Sequence, residues 1–409
     1  MLDNPYLPGL AAELDCLAAA LRRLGSDLEL PADPIAAKTL LTIELRAATA
    51  RFGGGTTETA WRDGGASDGV AHDLPSGFRM TWRYQRGDLQ WVSKDPLADL
   101  YEPPGQDGCR STGVLTGSGM GAVAAVLGAL DRTYAGARGR YSANIYFETK
   151  LYMNTWSRGV AWSSEAAEPD VAWCDSFGRC DDLDLGMRAE VAVLDTTCYA
   201  REDTRIGALL GARLAQGLVT VLVRSHSKLD MLGTEFARLG SAVFIYPPRL
   251  PHKEMRRLNA LIGAAYDWIL RTGVIAGPQC VPPFWAEGRF RPLTADRNRR
   301  LRAAHHALAQ TTSEDSRYRV VHQHHHVFAT LDPLDAEANI EVDVEDLACL
   351  LRAAGMQASV CPSFGFDFIA LDLLRKPGGG REIRIALPGL AGRALHHCLE
   401  TVAAWSTRP

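Results

Sequence analysis

Between residues 190 and 250 the chain alternates short apolar runs with helix-length stretches, and few folds accept that pattern. Val191–Leu194, Leu218–Val223 and Ala242–Tyr246 are rich in β-branched and aromatic residues, while Thr204–Ala215 carries apolar residues at helical spacing. A strand apolar on both faces must be covered on both, so these runs specify a mostly parallel sheet flanked by helices.

The rest of the chain is parsed around that core. Leu10–Leu24 and Pro34–Arg51 have Leu and Ala at intervals of three and four, with Asp33 placed to cap the second helix. Gly53 to Ser76, rich in Gly, Thr and Asp, is expected to be a loop or linker. Met255, Leu258, Ile262, Ala265 and Ile269 form one stripe of a long amphipathic helix, and the Pro/Gly-containing stretch Gly277 to Pro292 marks a boundary. Beyond it come a basic helix, a strand over Tyr318–Thr330, a helix over Val344–Ala354, further strands and a closing helix. The expected organisation is an N-terminal helical arm and linker (1–76), a large α/β domain (77–290) and a smaller C-terminal α+β domain (291–409).

Lys plus Arg number 44 against 48 Asp plus Glu, a net charge of −4 without a single-sign block. That balance gives no footprint for nucleic acid or an anionic membrane. Ser111 to Leu130 is free of charge, but five Gly and four Ser or Thr make it too polar to cross a bilayer. Nine cysteines without a CxxC pair read as thiols in a reducing compartment. The start, Met1-Leu2-Asp3-Asn4-Pro5, lacks the basic and apolar regions of a signal peptide. A cytoplasmic location is the expectation.

Three segments lie where an open α/β sheet places its chemistry, at the carboxyl ends of strands. Gly117-Ser118-Gly119-Met120-Gly121 precedes a helix and can present backbone N–H groups to an anion. Asp195 follows one strand directly, and Ser225-His226-Ser227-Lys228 follows the next. A phosphate cradle, a strand-end carboxylate and a hydroxyl-flanked lysine suit pyridoxal 5'-phosphate. That cofactor needs an amine for its aldehyde, an acid for its ring nitrogen and donors for its phosphate. Gly119, Met120, Ser225 and Ser227 are the candidate donors. Gly117-x-Gly119-x-x-Ala122 also satisfies a dinucleotide fingerprint, which leaves a nicotinamide-dependent oxidoreductase as a remote alternative.

These segments, in this order, resemble the fold-type I pyridoxal-phosphate enzymes, most closely the cysteine/methionine-metabolism branch with its γ-elimination and γ-replacement chemistry. Ser118-Gly119-Met120 matches the branch's S-G-M, and Tyr146-Phe147-Glu148-Thr149 keeps the ends of its Y-G-x-T. Asp195-Thr196-Thr197 stands for D-N-T, and Ser225-His226-Ser227-Lys228 for S-x-[ST]-K. Tyr84-Gln85-Arg86 resembles the Y-x-R that reaches the phosphate of a neighbouring subunit. Arg384-Ile385-Ala386-Leu387-Pro388-Gly389 resembles the carboxylate-binding R-[LI]-[SA]-x-G with one extra residue.

The resemblance implies an aspartate-aminotransferase-like fold-type I architecture and a homodimer or homotetramer with shared sites. It also implies a lyase or transferase acting on an α-amino acid. Lys228 would carry the Schiff base, Asp195 would hold the ring nitrogen, Tyr146 would stack on the ring, and Ser118 and Thr197 would join the cofactor shell. Arg384 would bind the substrate carboxylate. An aminotransferase uses the same constellation, and a non-catalytic binding protein with this fold is a third reading.

The chain departs from the branch around the substrate. Phe147 and Glu148 are bulky where the branch has small residues, His226 replaces a small or apolar one, and Leu229–Gly233 follows the lysine in place of a glycine-histidine segment. Glu148 and His226 are therefore expected to line a reshaped pocket. An anionic Glu148 would favour a cationic leaving group, such as the sulfonium of S-adenosylmethionine, over that of a neutral homoserine derivative, and a specialised natural-product role is the expectation.

His322, His324 and His326 alternate on the strand expected there and would share a face. They are weighed as a polar face or subunit contact before zinc, because no acid or cysteine lies near in sequence. No metal is expected. Arg381 and Arg384, three apart on one strand, point to opposite faces, so only one can reach a pocket.

Overall fold

The computed structural model describes residues 7, 9–62, 70–73, 79–82, 89–91, 109–142, 145–176, 189–200, 203–311, 316–322, 327–335, 338–376 and 379–408, with 51–91 as backbone only. Two helices come first, α1 (Leu10–Arg23) and α2 (Pro34–Arg62). Asp33 caps α2 through the backbone N–H groups of Ile35 and Ala36, at 3.3 and 3.2 Å. The expected loop after Gly53 is overturned at its start. The helix runs on to Arg62 through Gly53, Gly54 and Gly55; each glycine costs about 1 kcal/mol relative to alanine, and extending a helix already nucleated avoids the cost of starting a new one. The rest of that segment holds β1 (Val70–Asp73), which pairs with β2 (Arg79–Trp82) beyond it, and β2 pairs in turn with β3 (Leu89–Trp91).

The central sheet has seven strands: β4 (Arg110–Thr116), β5 (Arg138–Tyr141), β6 (Ala161–Ser163), β7 (Val171–Asp175), β8 (Val191–Asp195), β9 (Val219–Ser225) and β10 (Gly240–Tyr246). Their spatial order is β4-β10-β9-β8-β7-β5-β6. Only β10 runs against the others, antiparallel to both β4 and β9. This is not the 3-2-1-4-5-6 order of the dinucleotide-binding fold, which removes the structural basis of the oxidoreductase alternative.

Alternation along the buried strands explains the two covered faces. Val191, Val193, Val221 and Val223 pack under α3 (Gly119–Thr133) and α6 (His252–Thr272). Leu194, Leu222, Val243 and Ile245 face the other way, toward Ile206, Leu209 and Leu210 of α5 (Thr204–Ala215). Each such side chain removed from water contributes roughly 1.5–3 kcal/mol.

After α7 (Phe290–Ala309) comes a second sheet of five strands, ordered β11-β12-β15-β14-β13. It comprises β11 (Tyr318–His322), β12 (Ala329–Pro333), β13 (Ala358–Val360), β14 (Ile369–Arg375) and β15 (Arg381–Ala386). Helices α8 (Ile340–Ala353) and α9 (Gly392–Ser406) cover it. The single strand expected over Tyr318–Thr330 is in fact two, β11 and β12, paired antiparallel with His322 opposite Ala329. His324 and His326, and with them the strand face expected for the three histidines, lie outside the described residues. Among the described residues no helix is long and apolar enough to cross a membrane.

A buried ionic knot ties the N-terminal helices to the C-terminal half. Glu13 of α1 meets Lys38 of α2 at 2.7 Å and Arg297 of α7 at 2.9 Å. Asp367 closes the ring, 2.9 Å from Lys38 and 3.0 Å from Arg297. Arg297 also donates to the Phe366 carbonyl. The knot thereby anchors the segment before β14, which carries Phe364 over the cavity described next.

Candidate active site

A cavity of about 530 Å³ opens where the carboxyl ends of β8 and β9, the start of α3 and the second sheet converge. Its floor is built by close backbone approach. Ser118 caps α3, its Oγ accepting from the Gly121 N–H at 3.0 Å. A Cβ on Gly119 would stand 2.7 Å from Cβ of Ser225, and one on Gly240 would stand 2.2 Å from the Ser118 carbonyl. Only glycine lets the three strand ends pack this tightly. The Ser225 and Ser227 hydroxyls lie 2.9 Å apart beside this turn. The site is a cup of N–H and O–H groups at a helix N-terminus, suited to phosphate.

Asp195 ends β8 in the middle of the sheet. Burial pushes its carboxyl above the usual range, opposed by hydrogen bonds from Thr197 and the charge of Arg224. The Thr197 N–H donates to Asp195 Oδ1 at 2.8 Å, and Thr197 Oγ1 accepts from the Ser225 N–H at 3.0 Å, tying β8 to β9.

Lys228 follows β9 by one turn. Its Nζ lies 4.9 Å from the Phe364 ring centre and 3.9 Å from Glu235 Oε1. The segment after it is bent through two non-glycine residues in the left-handed region, Leu232 at φ 51° and Glu235 at φ 45°. Arg46 of α2 donates to the Glu235 carbonyl at 2.6 Å and helps hold that conformation.

Tyr146 sits at the start of α4 (Phe147–Thr155), its N–H donating to Asp175 Oδ2 at 3.0 Å. Burial, then the Glu148 carboxylate within hydrogen-bonding reach, push its hydroxyl up to about 12. Phe147 and Glu148 both line the cavity, with Phe147 at its open side, 65% exposed.

Arg384 of β15 is 6% exposed and lines the cavity from the second sheet. Its Nη2 donates to the Ser363 carbonyl at 3.1 Å and meets Asp372 at 3.0 Å, while its Nε has no partner among the described residues. Arg381 instead pairs with Glu341 at the surface, as opposite strand faces require.

The cavity therefore gathers Ser118, Gly119, Met120, Tyr146, Glu148, Asp195, Thr197, Ser225, Ser227, Lys228 and Arg384. His226 is the exception and corrects the sequence expectation. Its ring is 1% exposed and outside the cavity lining, with Nδ1 2.8 Å from Asp230 and Nε2 3.0 Å from Ser241. Alternation after β9 turns it into the interior while Ser225 and Ser227 face the cup. Burial lowers its pKa. Burial alone would raise the Asp230 carboxyl, but Arg224, bidentate to it at 2.7 Å, holds it below the usual range. Tyr84 and Arg86 lie outside the described residues.

Sequence reasoning missed Arg238, Asp175, Phe364 and Asp372, all on the cavity wall. Arg238 was legible in principle, two positions before the glycine that must abut Ser118. Asp175 ends a buried strand just as Asp195 does. Phe364 and Asp372 carry no local signal, because the β14–β15 register alone sets Asp372 opposite Arg384.

The architecture has counterparts among solved structures. A protein assigned as an O-acetylhomoserine (thiol)-lyase from Campylobacter jejuni, solved with a pyridoxyl-lysine phosphate adduct, superposes with a TM-score of 0.53 at 13% identity. The match covers 76% of this chain and 85% of that one. This is the fold-type I architecture. An 8-amino-7-oxononanoate synthase from Francisella tularensis matches with a TM-score of 0.50, again at 13% identity and with 76% and 85% coverage. No family model and no curated protein matches the sequence.

Proposed function

We propose that this chain is a pyridoxal 5'-phosphate-dependent enzyme acting on an α-amino acid by elimination or replacement at Cγ or Cβ. S-adenosylmethionine or a homoserine derivative is the candidate substrate. The observation that carries the reading is one cavity holding Lys228, the buried strand-end carboxylate of Asp195 and the Gly119–Ser225–Ser227 cup. The fit is specific at the cup: a Cβ at Gly119 would press on Ser225, and of the mutually bonded Ser225 and Ser227 hydroxyls one proton is left to donate to a bound phosphate. Residues 77–290 would then form the cofactor-binding domain, 291–409 the small domain and 1–76 an arm.

Bound there, the cofactor supplies an aldehyde for the substrate amine and an electron-accepting ring. The chain supplies the rest. The N–H groups of Gly119 and Met120, the Ser225 and Ser227 hydroxyls and the Arg238 guanidinium offer donors to the phosphate. Asp195 offers its carboxylate to the ring nitrogen, and Tyr146 covers a ring face. Arg384, whose buried Nε has no partner among the described residues, takes the substrate carboxylate and so orients the Cα–H bond. The Lys228 amine, once displaced, removes the Cα proton and carries protons to and from the side chain, while the leaving group departs with its bonding pair.

Borohydride treatment of the cofactor-loaded protein, followed by peptide mass mapping, tests the reading directly. The reduced cofactor is expected on Lys228 and is lost in Lys228→Ala; a label elsewhere, or none, defeats the proposal. Release of a leaving group from S-adenosylmethionine or O-acylhomoserine then tests the reaction class.

A further inference from the structure

The cavity wall carries two carboxylates, Asp372 and Glu148, to which the cofactor assignments above give no task. Asp372 and Glu148 line the cavity together with Arg384; of its other cations Arg224 is paired with Asp230, and Lys228 and Arg238 are assigned above to the cofactor. Asp372 is placed by register: it is the direct partner of Arg384 across β14 and β15, and its Oδ2 lies 3.0 Å from Arg384 Nη2. Glu148 projects from the first turn of α4. Asp175, also on the wall, is engaged by the Tyr146 N–H.

Arg384 still has a role left to fill. Its side chain is almost wholly buried, two aromatic rings lie 5.6 and 5.8 Å from the guanidinium, and Nε lacks a partner among the described residues. A buried donor left unsatisfied points to a ligand acceptor. Once a substrate carboxylate takes that donor, the Arg384 guanidinium holds both it and Asp372, and Glu148 adds a third carboxylate on the same cavity wall. In a partly desolvated cavity this imbalance is costly unless the ligand brings a positive charge of its own.

We infer that Asp372, with Glu148 beside it, is the specificity-determining residue that selects an amino acid whose side chain is cationic. The inference rests on the cofactor and carboxylate assignments proposed above and deepens them. The recognised group is a sulfonium, ammonium or guanidinium beyond Cβ, and the neutral counterpart of the same shape is disfavoured. Asp372 also holds Arg384 partly neutralised before substrate arrives, which further disfavours a substrate with a second, side-chain carboxylate.

Equilibrium binding to the cofactor-loaded protein, read by the absorbance change of the bound cofactor, is the test. The ligands are S-adenosylmethionine, lysine and arginine against methionine, norleucine and O-acetylhomoserine. The cationic set is expected to bind more tightly, and Asp372→Asn to cut that preference by about tenfold. Glu148→Gln, on a half-exposed helix position, is expected to reduce it in the same direction. Equal binding of the two sets by the native protein, or an unchanged preference in Asp372→Asn, overturns the inference. The borohydride adduct on Lys228, measured on the same preparations, separates the two failures: if it is present, only the specificity argument falls, and if it is absent, the function falls with it.

Discussion

Single side chains in this protein do different work according to which way a strand end points them. Ser225 and Ser227 face the cup, whereas His226 between them is driven inward and bonded to Asp230 and Ser241. Because burial lowers the His226 pKa, the folded chain holds it neutral where the unfolded chain would protonate it, near pH 6.5. Its contribution is intact above that pH and is lost as the pH falls further, with a slope of at most about 1.4 kcal/mol per unit. Denaturant midpoints between pH 8 and 5 should drop in the native protein and drop less in His226→Gln; equal slopes would remove His226 as the source. Asp195→Ala removes the acid proposed to hold the cofactor's ring nitrogen. Turnover should fall roughly 10²–10³-fold, with a smaller loss of cofactor affinity measured by equilibrium dialysis.

At the scale of elements, the cup depends on three chain segments touching without side chains between them. Gly119→Ala would push a methyl group into Ser225, which sits in the β9–β8 hydrogen bond through Thr197. The expected result is a loss of cofactor affinity of about tenfold or more with little change in the far-ultraviolet dichroism, since alanine suits the first turn of α3. Ser118→Ala removes the cap instead and should cost about 1 kcal/mol of stability in denaturant titration. The pair of variants separates a binding defect from a folding one.

Across the whole molecule, the knot of Glu13, Lys38, Arg297 and Asp367 joins α1, α2, α7 and the segment bearing Phe364. Lys38→Met leaves two buried carboxylates facing a single well-placed guanidinium. Breaking such a network costs on the order of 3–5 kcal/mol, which thermal unfolding would register as a large fall in midpoint. Because the same network anchors the segment over Lys228, mild cases should also change ligand affinity at the cavity. The resemblance around Tyr84 and Arg86 adds a prediction about assembly: mixing Arg86→Ala with Lys228→Ala should restore activity in hybrid dimers if the sites are shared, and a monomer by light scattering would end that idea.

Local chemistry was enough to read the alternating strands and helices, the cap at Asp33, the glycine turn at residues 117–121, and the strand-end positions of Asp195 and Lys228. Apolar periodicity and turn residues act over a few positions, and their consequences are the same in any context. The helix running past Gly53, the hairpin at His322, the inward turn of His226 and the pairing of Asp372 with Arg384 were not legible that way. Each depends on which distant segment lies alongside: a helix already nucleated, a strand partner, a packed interior, a register between β14 and β15. Strand register has a period of two, so a shift of one residue would have turned Asp372 away from the cavity. Sequence placed the candidates at their strand ends, and tertiary packing decided which side chains share the cavity and which carboxylates stand beside Arg384.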